Sequence, residues 1–225
     1  YEKNILMTEQ CSFQFQDTEY ENGIFATTLH FIGLFKEQSK DQYNAAILFN
    51  ILSLTNFILS QESQQDESLY LETSDFQINI YSGQILQISR VILRNYALST
   101  LSLPKNQLIT FYSYDSSLFP ILQIPFSISQ IFQFRYAALC AQHEKEYDHS
   151  IVQYFHSLMK SHDPIFNLKH IPNSLDRQQI LPIFQSLTYI PTIFGISCRN
   201  NDTPSIISDI SSLIEKSEYI RSIKL

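Results

Sequence analysis

Residues 179–225, QILPIFQSLTYIPTIFGISCRNNDTPSIISDISSLIEKSEYIRSIKL, carry one pattern twice. Ile180, Ile183, Leu187, Ile193, Ile196 and Cys198 recur 27 residues later as Ile207, Ile210, Ile214, Ile220, Ile223 and Leu225. Each copy changes its step halfway. Positions 180, 183 and 187, then 207, 210 and 214, follow the three-to-four step of one helix face. Positions 196 and 198, then 223 and 225, follow the two-residue step of a strand. The stretch therefore reads as helix then strand, twice.

A helix–strand unit repeated every 20 to 30 residues is the layout of a leucine-rich-repeat solenoid, with an ordinary helix–strand pair as the alternative. Stacked units bury their apolar faces only against neighbours. Two copies ending on a strand at Leu225, in a chain that starts at Tyr1 rather than Met, are thus expected to be a piece of a longer array. Upstream, 127–142 reads as a helix through Ile128, Ile131, Phe132, Phe134, Ala138 and Leu139. A second helix carries Ile151, Val152, Phe155, Leu158 and Met159, and 164–168 reads as a strand leading into the repeats. The two helices are expected to cap the solenoid, with Asp176 capping the first repeat helix.

Composition narrows the function classes. The net charge of −7 sits entirely in the first hundred residues, where five basic residues face twelve acidic ones. Nucleic acid and anionic lipid surfaces need clustered Lys and Arg, so neither is an expected partner of this half. The three cysteines, Cys11, Cys140 and Cys198, have no metal or redox spacing and read as small apolar residues in a reducing compartment. No apolar run is long enough to cross a bilayer, since 45–59 is interrupted by Asn50, Ser53 and Asn56. A cytoplasmic protein is expected.

Residues 12–81 read as consecutive strands. Asn22-Gly23 is a turn signal before the long aromatic and β-branched run 24–35. A charged loop over 36–41 precedes 47–59, which is one bent strand or two. Leu69-Tyr70-Leu71-Glu72 and Phe76-Gln77-Ile78-Asn79-Ile80-Tyr81 alternate apolar and polar about the turn Thr73-Ser74-Asp75, the clearest hairpin of the chain. From Gln84 the period becomes helical, with Ile85, Ile88, Ile92 and Tyr96 on one face and Pro104 beyond the end. Antiparallel strands closed by one C-terminal amphipathic helix outline an α+β barrel of pleckstrin-homology type. The expected organisation is a pleckstrin-homology-like barrel over 1–103, a helical linker and N-terminal cap over 104–175, and the start of an α/β leucine-rich-repeat solenoid over 176–225.

This order of parts resembles the amino-terminal region of the CARMIL family, large scaffolds that regulate actin capping protein. Two stretches carry the resemblance. Leu71-Glu72-Thr73-Ser74-Asp75-Phe76-Gln77-Ile78-Asn79-Ile80 is similar to that family's hairpin before the barrel helix. Arg177-Gln178-Gln179-Ile180-Leu181-Pro182-Ile183-Phe184-Gln185-Ser186-Leu187 is similar to its first repeat helix. The resemblance implies a scaffold with actin-regulatory protein partners at the cell cortex. It also implies that the segment binding capping protein lies beyond the repeats. The family's barrel reaches membranes through basic residues, whereas the first hairpin here, Gln16-Asp17-Thr18-Glu19-Tyr20-Glu21-Asn22, has none.

The residues suggest no catalysis. His143 and His149 are six apart, His149 and His156 seven, and zinc-binding helix pairs need four. Cys140 near His143 lacks an orienting third group, and its neighbours Ala137, Ala138 and Leu139 indicate a buried thiol. Four isolated glycines make no phosphate loop, and Asp66-Glu67 and Glu144/Glu146 read as solvated carboxylates. Catalytic, cofactor-binding and metal-ligating residues are therefore all expected to be none. The candidate contact positions are those of the repeat strands that alternate with buried ones, namely Ser197, Arg199, Ser222 and Lys224. A protein-interaction scaffold is the first expectation. A membrane-targeting barrel, or a regulatory domain of an enzyme encoded further on, are the alternatives.

Overall fold

The computed structural model describes residues 4–40, 42–61, 67–118, 125–171, 177–198 and 204–224. It divides into two compact units, residues 2–100 with 105–124, and residues 101–104 with 125–225.

The first unit is one coiled sheet around one helix. Its strands are β1 (Met7–Phe15), β2 (Thr18–Thr27), β3 (Phe31–Ser39), β4 (Gln42–Asn50), β5 (Leu54–Gln61), β6 (Glu67–Thr73), β7 (Gln77–Tyr81) and β8 (Thr110–Ser113), with α1 (Ile85–Ser99) between the last two. Their order is β4-β3-β2-β1-β7-β6-β5-β8. β1 to β4 and β5 to β7 are antiparallel meanders, joined where β1 pairs with β7. The expected face of α1 is the buried one. Ile85, Ile88, Ile92 and Tyr96 share a core with Phe13, Phe25, Ile32, Leu34, Phe57, Leu69 and Ile80. Seven antiparallel strands closed by a C-terminal helix give this unit a pleckstrin-homology-like topology.

The turns differ from the sequence reading in instructive ways. The first hairpin turns at Gln16 and Asp17, whose φ values of 51° and 61° supply the two left-handed residues that a tight hairpin of this hand requires. Gly23 is not in a turn. It lies inside β2, opposite a bulge between Cys11 and Phe13, where an added Cβ would stand 2.5 Å from the Phe13 ring. The position needs glycine to admit an aromatic ring, which a turn signal cannot distinguish from a need for positive φ. The long run 24–35 is two strands, broken at Thr28, whose Oγ1 accepts from the Phe31 amide at 3.1 Å while Asn95 of α1 donates to its carbonyl at 3.0 Å. The run 47–59 likewise divides, at a 3-10 turn over Ile51–Ser53 that Asn50 caps through the Leu52 amide. The Thr73-Ser74-Asp75 turn stands as read, with Thr73 Oγ1 accepting from both the Asp75 and Phe76 amides at 3.2 Å.

Residues 105–118, expected to open the helical linker, belong to the barrel unit instead. The cause is β8, which pairs in parallel with β5, Phe57 opposite Phe111.

The second unit contains α2 (Ile128–Gln142), α3 (His149–Ser161), β9 (Ile165–Asn167), α4 (Arg177–Leu187), β10 (Gly195–Ser197), α5 (Pro204–Lys216) and β11 (Ser222–Lys224). Ser127 and Gln130 form a capping box that starts α2, and Asp148 caps α3 by accepting from the Ser150 amide at 2.8 Å. Asp176 lies outside the described residues. The strands form a parallel sheet in the order β11-β10-β9. Ile196 stands opposite Ile223, the register that a 27-residue offset requires. The helical offset is different. In α5 the buried residues are Ile206, Ile210 and Leu213; of the expected face, Ile210 is buried, Ile214 is only partly buried and Ile207 is 37% exposed. Set against Ile180, Phe184 and Leu187 of α4, all buried, these positions are 26 residues on. The second copy therefore holds one extra residue between its helix and its strand.

The core of this unit joins helices and strands. Phe132 stacks on Phe155 at 4.0 Å, and both share one cluster with Phe166, Ile180, Ile183, Leu187, Ile196 and Ile210. Helices α2 and α3 share this core with α4 and the parallel strands.

Candidate interaction surface

The parallel sheet sorts its residues by face. Phe166 and Ile196 are fully buried and Ile223 is partly so. Between them, the pairing aligns Ile165, Gly195 and Ser222 at one level and Asn167, Ser197 and Lys224 at the next. Of the candidate contact residues, Ser197 is half-buried while Ser222 and Lys224 are exposed; Arg199 lies outside the described residues. Ser197 and Lys224 are brought opposite one another, with Asn167 completing their row. Asn167 was missed because a three-residue strand, capped at its end by the same side chain accepting from the Lys169 amide at 2.9 Å, has too little alternation to expose its facing.

Gly195 explains how closely the strands approach. A Cβ there would meet Ser222 Oγ at 2.5 Å, and that hydroxyl donates to the Phe194 carbonyl at 3.3 Å. Phe194 itself is 51% exposed at the mouth of β10.

Several of the chemically suggestive groups are tied into the fold. His143 Nε2 and Gln185 Oε1 are 2.8 Å apart, tying the end of α2 to α4. His162 adopts the left-handed conformation that ends α3, and the His170 ring packs tilted against Tyr154, centroids 4.8 Å apart. His149 and His156 are exposed, and the described residues contain no cluster able to hold a metal. Arg135 is 5% exposed, and its Nη2 donates to the Gln185 carbonyl at 3.3 Å. Its charge thus lies at the negative end of α4, and burial lowers its pKa to about 10. The three thiols are buried, and burial raises Cys11 to about 11, so it stays protonated and unreactive at neutral pH.

The barrel unit has a polar cleft, of about 520 Å³, between its first and last hairpins. Its ionisable residues are Asp17, Glu72 and Asp75, with no lysine or arginine among its lining. Such a wall repels phosphate. No helix among the described residues is long and apolar enough to cross a membrane.

The class that these features define is a pleckstrin-homology-like domain accompanied by a helix–strand unit with a parallel sheet. No family model and no curated protein matches the sequence. Solved structures that match include one described as "PH domain from TgAPH", at 8% identity and a TM-score of 0.32, over 40% of this chain and 81% of that one.

Proposed function

We propose that this chain is a non-enzymatic protein–protein interaction scaffold. In this reading the barrel accompanies a capped helix–strand array of leucine-rich-repeat type, and the parallel sheet presents the contact surface. The observation that carries it is the register: Ile196 and Ile223 pair across parallel strands, so the residues between them line up as rows facing one way. Asn167, Ser197, Ser222 and Lys224, with Phe194 at the edge, are the contact residues of this proposal. Rows of this kind lengthen with every added unit, which is how repeat proteins build extended binding faces. The CARMIL-like order of parts supports an actin-regulatory protein as the partner and the cytoplasmic cortex as the place. The acidic cleft of the barrel supports a protein rather than an anionic membrane as the target.

A photo-crosslinking amino acid at Ser222 tests this directly. In cells, the substituted chain should give a discrete covalent adduct with one protein, and the adduct should weaken when Lys224→Glu is added. The same group placed at Glu21, in β2 of the barrel, should give no such adduct. Equal labelling from both positions, or none from Ser222, would refute the reading.

A further inference from the structure

The sheet of the barrel unit turns an apolar face outward as well as inward. Across β1 to β4 the register aligns two outward rows, Thr8-Ala26-Gly33-Leu48 and Gln10-Ile24-Phe35-Ala45. Phe25, Leu34 and Ile47, of the row between them, are buried, as side-chain alternation requires. Ile24, Ala26, Phe31, Phe35 and Leu48 belong neither to the barrel core nor to its half-buried margin. Leu48 is 61% exposed, and so is 54% of Leu6, whose amide donates to the Thr27 carbonyl at 2.8 Å just before β1. Gly33 has a purpose on this side. A Cβ there would stand 2.8 Å from the Phe35 ring and 3.3 Å from Leu48 Cδ1, so its absence lets the ring lie against the sheet beside the leucine.

An antiparallel sheet ordinarily shows water its polar side, and a contiguous apolar patch marks a contact surface. Neither row holds a charged residue, and neither does any position of β4, the edge strand that borders them, although edges are usually guarded by charge. Charge also selects the occupant. The whole net charge of −7 falls within the first hundred residues, so two copies of this unit repel each other over most of their surface. The exposed carboxylates of Asp17, Glu19, Glu21 and Glu37 lie toward the hairpin end of these strands, beyond both rows. We propose that the outer face of β1–β4, centred on Phe35 and Leu48, is a homodimer surface on which a second copy of this chain stacks sheet against sheet. A two-fold axis that turns the second copy end for end keeps the acidic ends apart and brings the neutral rows together, with about 10 Å between the sheets. A basic partner gains nothing from a face without carboxylates, nor an anionic membrane from one without Lys or Arg. Four strands about 4.8 Å apart make the face roughly 15–20 Å wide. So small a face gives a weak, reversible dimer, with a dissociation constant of roughly 10–100 μM. It is separate from the parallel sheet and stands whether or not that sheet binds a partner.

Sedimentation equilibrium of the full chain over a range of concentrations tests this. The unaltered chain should pass from monomer to dimer as concentration rises. Leu48→Lys, which puts one charge on each facing surface, should weaken the dimer about tenfold or more. Its far-ultraviolet circular dichroism should match that of the unaltered chain, because the side chain it replaces is 61% exposed and outside the core. Tyr112→Lys, at a position 58% exposed on β8, and Lys224→Glu, on the parallel sheet, should leave the dimer unchanged. A chain that stays monomeric up to about 1 mM overturns the proposal. So does a dimer indifferent to Leu48→Lys, or one weakened equally by Tyr112→Lys or Lys224→Glu. Sedimentation with vesicles of pure phosphatidylcholine separates the remaining occupant: a monomeric chain that pellets with them, and ceases to with Leu48→Lys, assigns the face to lipid and overturns the second copy.

Discussion

Phe132→Ala should destabilise the second unit by about 3–5 kcal/mol, the usual cost of emptying a fully buried phenylalanine site. The ring lies between Phe155, at 4.0 Å, and Tyr136, at 5.8 Å, and is 0% exposed. Its neighbours come from both α2 and α3. The backbone of α2 and α3 holds them apart, so little collapse can fill the vacated volume. Phe132→Leu keeps most of that volume and should cost much less. Urea unfolding followed by far-ultraviolet circular dichroism gives both values. The chain has no tryptophan to report the transition by fluorescence. A loss below about 1 kcal/mol for Phe132→Ala would mean that the stacked rings are not the centre of this core.

Acidification should weaken the barrel through His30. The side chain is 9% exposed at the β2–β3 turn and its Nδ1 has no hydrogen-bond partner. Burial lowers its pKa from 6.5 to about 4. In the unfolded chain the same imidazole takes up its proton near pH 6.5. Between these values the unfolded state binds more protons than the folded one, so stability falls as pH decreases. The contribution is complete above about pH 6.5 and is lost by pH 4, by roughly 3 kcal/mol across the window. Carboxylates add their own slopes, and the difference between the unaltered chain and His30→Leu isolates the imidazole. Measured by urea midpoints from pH 7.5 to 4.5, the stability of the unaltered chain relative to His30→Leu should fall steadily below pH 6.5. A difference independent of pH would show that His30 is solvated in the folded state.

Local chemistry made much of this fold legible. The α1 stripe of Ile85, Ile88, Ile92 and Tyr96 was legible from its helical spacing alone, and all four residues are buried in the barrel core. The Thr73 turn was readable because its hydrogen bonds are made within four residues. What escaped depends on partners distant in sequence. Gly23 has the signature of a turn, and only the Phe13 ring, ten residues away, reveals its purpose. β8 has no alternation of its own strong enough to mark a strand; its place is set by Phe57 and Tyr96. The face of α5 was misread by one residue because Ile206 and Ile207 are adjacent isoleucines, and a fixed offset chose the wrong one. A strand paired across a sheet keeps register, whereas a helix can rotate when the following loop gains a residue.

The candidate surface was legible to a similar depth. The alternation rule assigned Ser222 and Lys224 to solvent, and both are exposed. It could not find Asn167, whose row becomes visible only when three strands, the outer two separated by more than fifty residues, lie side by side. Phe194 precedes its strand and falls outside any alternation.

The stacking of the two helix–strand copies bears most directly on the account. Isoleucine δ-methyl labelling in an otherwise deuterated chain, with signals assigned by single Ile→Val substitutions, measures it in solution. A strong nuclear Overhauser effect should join the methyls of Ile196 and Ile223, which face each other across β10 and β11. An Ile196 methyl without that contact, or one paired with Ile220 instead, would contradict the register and with it the rows of residues from which binding is inferred.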